Sequence, residues 1–441
     1  MNSRALTKIQ SAVLIAIIVI AAVGGGAAYV LWQVSLPPSE DIIIGVCADL
    51  DMPSGKSLLR GAVLAAEQIN AEGGVLGRNF TVVAEDDDGE TSLDLSVASN
   101  ALTKLLTIDK ADYVISNQAI NILAYQDICA EHKTILFATF TPLENLTQRV
   151  VDNYDRYKYF FRISPTNSTS AATRFLDSIL TLGNYTGFKK IGYLAQDTPS
   201  WTQLTILLET YLPKYGFSIV YKGLVQLTTT DFASNFVAAE ASGAEILVPL
   251  IGGMPGVPFI KEYYDRQSPF VLWGNVPAAV SSDSWNLTEG KCEYLSTTGS
   301  PVVAAYPLTN KTVPTVEAYL RRWGTDSAPG GAVPAYDVVR FILPDAIRRA
   351  ETTETEAVIR TLETTNVETS SARHWMFTSS HDVMVGSGAP NNPVEDYMVM
   401  CVFQWQNRTL VPVYPKVIKD EAGATYQYPR WSGPWTTSQT P

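Results

Sequence analysis

The sequence predicts an α/β protein of two Rossmann-like lobes, preceded by one apolar N-terminal helix. Three observations carry this. Short apolar runs without polar alternation, suited to strands buried on both faces, alternate with amphipathic stretches of helical period along most of the chain. The length, 441 residues, exceeds one small domain and suffices for two. A charge-free apolar run occupies 12–32, with Arg4 and Lys8 before it.

That run is about long enough to cross a bilayer as a helix. Positive charge on its N-terminal side places that end inside and everything after Trp32 outside. A cleaved secretory signal and a retained anchor both fit. The run exceeds the usual signal core of about 7–15 residues, and Tyr29 and Trp32 suit an interfacial belt near its far end. No cysteine lies in or just after it, so the usual bacterial lipoprotein attachment is absent. We read 1–34 as a signal or membrane anchor and 35–40 (SLPPSE) as a short stiff linker.

Residues 42–46 (IIIGV) form the first strand. Ala62, Val63, Ala66 and Ile69 follow helical spacing and make a stripe against a sheet, with Arg60, Glu67 and Gln68 turned away. Gly73, Gly74 and Gly77 end that helix and turn the chain. Phe80, Val82 and Ala84 open the second strand. Strand, helix and strand in a parallel sheet make a right-handed crossover. Ligands of such sheets sit beyond the carboxyl ends of the strands, here 49–56. The whole stretch, IIIGVCADLDMPSGKSLLRGAVLAAEQINAEGGVLGRNFTVVAEDDD, resembles the opening of type I periplasmic solute-binding proteins of ABC transporters, in the branched-chain amino acid and amide (Leu/Ile/Val-binding) branch. INAEGGVLGR (69–78) is its most specific part. The likeness continues through ADYVIS (111–116), FFRISPT (160–166), KKIGYLAQDTPSW (189–201) and VFQWQN (402–407). It implies two lobes on a three-strand hinge that close around a solute. The start KIQSAVLIAII also looks like archaeal signal segments.

Lobe one is expected over 41–162 and 300–377, and lobe two over 163–299 and 378–441. In lobe one, helices at 92–106 and 122–132 alternate with strands at 113–115 and 134–137. The segment 160–163, before the turn-forming SPTNSTS, is the first crossover. In lobe two, helices at 170–182, 201–215, 232–241 and 257–267 alternate with strands at 190–194, 218–224, 245–250 and 270–273. The chain crosses back at 294–303, adds helices at 313–323 and 336–350, and crosses again near 375–379. An apolar strand at 397–405 follows, and the tail from Tyr414, rich in Pro, Gly, Tyr and Trp, reads as an irregular strap on the surface.

Composition excludes several functions. The net charge of -12 and pI near 4.8 argue against nucleic acid, whose phosphates need clustered Lys and Arg. Cys47 and Cys401 fall in apolar strand runs and read as buried thiols, while a Cys129–Cys292 disulfide is left open. Seven N-x-S/T sequons, at Asn79, Asn145, Asn167, Asn184, Asn286, Asn310 and Asn407, point with the apolar N-terminus to an extracytoplasmic glycoprotein. The three histidines form no metal motif, and no G-x-S-x-G elbow is present. SGKS at 54–57 lacks the upstream glycine of a phosphate loop. Asp86, Asp87 and Asp88 lack calcium-loop spacing and read as a solvated strand end, with one Asp capping the next helix. No catalytic residue, metal or cofactor is expected; the reading is binding, not catalysis.

By the resemblance, the solute lies between loops at the strand ends. From lobe one these fall on Asp51, on Ala119 and Asn121, and on Thr139 and Thr141 around Phe140. From lobe two they fall on Trp201, which covers the ligand, on Met254, and on Asn275. Amino-acid binders of the family typically face the ligand ammonium with an acidic residue; the matching position here is Asn275. A buried ammonium without a carboxylate partner is costly. A neutral amide, a small carboxylate or a more apolar solute therefore fits as well as an amino acid. The implied partners are the solute, the permease subunits of an ABC transporter and the membrane through the N-terminal helix. A sensing ectodomain is the alternative; the anchor leaves too short a cytoplasmic end for its own signalling domain, so a separate partner would signal.

Overall fold

The computed structural model describes residues 40–436 except 90–93, 118–120, 142, 165–167, 254, 281–283, 300–306, 325–328, 387–395, 399 and 415–425. The expected signal or anchor at 1–34 lies outside the described residues. Among those described, no helix is long and apolar enough to cross a membrane.

β1 (Ile42–Ala48) is buried along nearly all its length, because helices cover both faces of a parallel strand. α1 (Pro53–Ala71) begins on a proline whose missing N–H costs nothing there, and buries Leu58, Ala62, Ala65 and Ile69. Gly73, Gly74 and Gly77, at φ 99, 72 and 75, turn the chain into β2 (Phe80–Asp86). α2 (Leu95–Thr107) is capped by Asp94, whose side chain accepts from the Ser96 N–H at 2.8 Å. β3 (Tyr113–Ser116), α3 (Ile122–His132), β4 (Ile135–Ala138), α4 (Asn145–Asp152), α5 (Tyr154–Tyr157) and β5 (Phe160–Arg162) complete a parallel sheet of order β2-β1-β3-β4-β5.

α6 (Ser168–Thr186) leads into the second sheet. Its parallel part is β6 (Lys190–Gln196), β7 (Ser218–Val225), β8 (Ile246–Leu250), β9 (Val271–Gly274) and β10 (Ser296–Gly299), with α7 (Pro199–Tyr211), α8 (Ala233–Ala241), α9 (Gly256–Arg266) and the single turn α10 (Ser284–Leu287) between them. α11 (Thr312–Trp323), α12 (Pro329–Asp337), α13 (Leu343–Ala350) and α14 (Thr355–Leu362) return to the first lobe and join its core. α1 and α12 approach closely: a Cβ on Gly61 would sit 2.2 Å from the Ala332 carbonyl oxygen. Trp375, Phe377, Val383 and Met398 belong to the same core. Antiparallel β11 (Cys401–Gln406) and β12 (Thr409–Tyr414) then close the second sheet, whose order is β12-β11-β10-β9-β8-β6-β7.

The chain leaves the first sheet from the carboxyl end of β5 and the second from the carboxyl end of β10. Both sets of parallel-strand tips therefore lie on the side where the chain passes between lobes, the end of such sheets at which ligands bind.

Two expectations need correction, and one question left open is answered. All four cysteines are free and buried; Cys129 packs in the first lobe and Cys292 in the second, so their disulfide does not form. Asp87 is not solvated: it is fully buried, accepting from the Tyr125 hydroxyl at 2.8 Å and the Gly89 N–H at 3.0 Å. The tail is more than a surface strap, since Tyr426 and Trp435 are buried in the second lobe's core.

Candidate functional site

Each parallel strand delivers its last residues to the cleft side, and the side chains there depart from the apolar pattern. After β1, Asp49 is buried and its Oδ1 accepts from the N–H groups of Asp51 and Met52, which folds 49–52 into a tight loop before α1. Asp51 itself is exposed, and its carbonyl accepts from Lys56 Nζ at 2.9 Å. After β3, Asn121 sits just before α3, only 5% exposed, and its Nδ2 has no hydrogen-bond partner. Ala119 lies outside the described residues.

The loop after β4 is the most unusual. Thr139 and Thr141 are both fully buried, yet neither hydroxyl has a partner. Between them Phe140 takes φ 54 and is 41% exposed. A bulky residue in the left-handed region is strained and persists only where its surroundings hold it. Here the Thr139 N–H donates to the Ser116 carbonyl at 2.9 Å, and the Phe140 N–H to Ser164 Oγ at 2.9 Å. Behind the loop, the fully buried Arg162 donates from Nη2 to the Leu143 carbonyl at 2.5 Å, and its Nη1 lies 3.1 Å from Asp382 Oδ1. Burial pulls the Arg162 guanidinium below its usual pKa, against the pull of Asp382 and Glu144.

From the second sheet, β6 ends in Gln196, which is 2% exposed and braces the loop after β8. Its Oε1 accepts from the Gly252 N–H at 2.8 Å, and its Nε2 donates to the Gly252 carbonyl at 3.2 Å. Trp201 lies in the first turn of α7, where its N–H donates to Thr198 Oγ1 at 3.3 Å; it is half-buried and packs against the lobe's core. Asn275 follows β9, and its Nδ2 donates to Thr298 Oγ1 at 2.7 Å, so that donor is engaged within its own lobe. Met254 lies outside the described residues.

The structure thus groups Asn121, Thr139 and Thr141 at adjacent tips of one sheet, and sets Trp201 and Asn275 at tips of the other. Sequence reasoning missed Ser164, Arg162 and Gln196, which hold the loops rather than line them. The available signal was a polar residue ending an apolar strand, as in KIGYLAQ and FFR. Chemically the first-lobe tips offer uncompensated hydrogen-bonding groups in a dry setting. Such groups are uncommon in folded proteins unless something else satisfies them. Among the described residues no group of His, Cys, Asp and Glu could hold a metal ion.

Comparison with known proteins identifies the family. Residues 44–389 match the periplasmic binding protein family. The Leu/Ile/Val-binding protein homolog 7 of Brucella melitensis is 22% identical over 397 residues, 86% of this chain and 92% of that protein. A putative branched-chain amino acid ABC transporter protein from Silicibacter pomeroyi superposes with TM-score 0.76 at 17% identity, covering 90% of this chain and 100% of that one. The solute-binding protein of an R. palustris ABC transporter, solved in complex with benzoate, superposes with TM-score 0.65 at 14% identity, over 84% and 95% of the two chains.

Proposed function

The chain belongs to the periplasmic binding protein family, and from that premise we propose that it captures a small organic solute between its lobes and delivers it to the permease of an ABC transporter. The observation that carries this reading is the trio of buried, unpartnered groups on the first-lobe tips: Asn121 Nδ2, Thr139 Oγ1 and Thr141 Oγ1. Leaving a buried polar group unmade costs about 1–3 kcal/mol each. A solute that accepts hydrogen bonds there recovers that cost on closure, when Trp201 is brought over it from the second lobe. No covalent step is involved.

The solute class follows from the same groups. Two hydroxyls and one amide N–H favour an acceptor such as a carboxylate or amide oxygen. Asn275, committed to Thr298, supplies no negative charge for an ammonium. A small carboxylate or neutral amide is the best fit. A carboxylate is also what benzoate and the branched-chain amino acids share. The apolar run at 12–32 supports an extracytoplasmic location, with the N-terminus as signal or anchor.

The test is a thermal-shift screen of the purified protein against amino acids, amides, urea and short or aromatic carboxylates. A ligand at a hundred times its Kd stabilises the native state by about 2.7 kcal/mol. A clear shift with a carboxylate or amide that carries no ammonium group supports the reading. The largest shift coming from leucine, isoleucine or valine would overturn the solute class, and no shift with any solute would count against the capture role.

A further inference from the structure

The sequons and a cavity at the far end of the second lobe meet at one residue, and neither has a part in solute capture. The cavity, of about 660 Å³, lies beside Glu293 and Tyr294, just before β10, at the amino end of the parallel strands and opposite the cleft tips. One wall is Trp431, from the tail beyond the family match at 44–389. The rest comes from Arg430 beside it, the end of α9 and its cap Gln267, α10, the segment before β10 and the β11–β12 turn.

Its lining has an unusual composition. Four residues are aromatic: Tyr264, Trp285, Tyr294 and Trp431. The other five all carry flat amide, carboxylate or guanidinium groups, and no aliphatic side chain takes part. The rings are held in place. Trp431 meets Tyr264 and Tyr294 edge-on, at 5.6 and 5.8 Å between centroids, and donates from Nε1 to the Ser268 carbonyl at 2.9 Å. Arg408 lies 5.6 Å from the Trp285 ring centre. Glu293 accepts from the Asn407 N–H through Oε1 at 2.9 Å, while its Oε2 is buried with no partner. Ring faces offer flat apolar surface to the C–H face of a pyranose, and planar polar groups bind pairs of neighbouring hydroxyls. A purely apolar ligand would strand the carboxylate and guanidinium groups. A simple anion would leave four rings unused.

Asn407 lines this cavity and is the acceptor of the sequon Asn407-Arg408-Thr409. It stands exposed at the tip of a two-residue hairpin, with Asn407 and Arg408 at φ 50 and 67, the paired left-handed conformations such turns require. We propose that the cavity is a saccharide site, filled by the first sugars of an N-linked glycan on Asn407. In the attachment step the Asn407 amide nitrogen bonds to the anomeric carbon of an oligosaccharide carried on a polyprenyl phosphate. The sugar–phosphate bond breaks, the lipid phosphate leaves, and the amide gives up one proton. A short tether gives an effective concentration near millimolar, so even a weak site is occupied. The same chemistry accepts a free saccharide, and the experiment separates the two sources.

The full chain is produced in a eukaryotic host that installs N-glycans, and again unglycosylated in bacteria. In the first arm, peptide N-glycosidase release is followed on native protein by glycopeptide mass spectrometry, with the exposed Asn310 as internal reference. Release at Asn407 is expected to be about tenfold slower than at Asn310, with the difference removed by denaturation, by Trp431→Ala and, as a variant that spares the core, by Arg430→Ala. In the second arm, the unglycosylated chain is titrated with mannose, maltose and N-acetylglucosamine under tryptophan fluorescence. A saturable response lost in Arg430→Ala is expected. A response in the second arm alone assigns the site to free saccharide. Failure of both arms, including an unmodified Asn407 with no free-sugar response, overturns the proposal.

Discussion

Thr139→Val should move stability and affinity in opposite directions. Valine copies the shape of threonine and removes only the hydroxyl. In the unliganded protein Thr139 is fully buried and its Oγ1 has no partner. Removing it relieves a desolvation penalty of about 1–3 kcal/mol, and no packing is lost. The unliganded variant should therefore need more urea to unfold, or melt a few degrees higher. If the solute binds as proposed, the same hydroxyl would donate to it, and a hydrogen bond to a charged acceptor contributes about 1.5–3 kcal/mol. At 1.4 kcal/mol per tenfold, Kd should rise by about tenfold or more. The assays are urea unfolding without ligand and calorimetry with whichever solute gives the largest thermal shift. A purely structural threonine would behave otherwise: the variant would be less stable and bind unchanged. That result would refute the reasoning, and with it the placement of the solute acceptor at this loop.

Three further outcomes are expected. Trp201→Ala should raise Kd by about tenfold while leaving a cooperative unfolding transition, because the side chain is only half-buried on its own lobe; unchanged affinity by calorimetry would remove it from the site. Gly61→Ala should destabilise the protein by about 1–3 kcal/mol in denaturant titration, since the new methyl meets the rigid Ala332 carbonyl; a neutral outcome would mean that α1 and α12 pack less tightly than described. Burial disfavours the Glu240 carboxylate, but Arg266 and the Ser268 hydroxyl outweigh it and hold its pKa below the usual glutamate value. A depressed carboxyl stabilises the fold above its unfolded pKa and loses that contribution as pH falls through the folded value. Glu240→Gln should thus lower stability near neutrality and lose its effect in the acid range below about pH 4, which paired unfolding curves at several pH values would detect.

The strand ends that carry the candidate site were legible because strand ends are marked locally. Apolar runs stop at Asp49, Ser116, Thr139, Gln196 and Asn275, where a buried strand meets its loop. The strain at Phe140 was not legible, because nothing in TFTP requires a positive φ. It arises from Ser116, at the end of β3, and Ser164, just beyond β5, two neighbours that anchor the loop from different places along the chain. Asp87 was misread for the same kind of reason: three consecutive aspartates look solvated until Tyr125, from a helix beside the next strand, supplies its hydroxyl.

By itself, the sequence determined the periodic elements, the glycine turn at Gly73–Gly77, the acidic character and the absence of a catalytic motif. These depend on residue spacing and residue type, which a linear chain displays. Tertiary structure alone decided which polar groups were left without partners, which cysteines stayed apart, and that Tyr264, Trp285, Asn407 and Trp431 would share one cavity. Each of those depends on which strands become neighbours. Neighbours distant in sequence leave no periodic trace of their meeting.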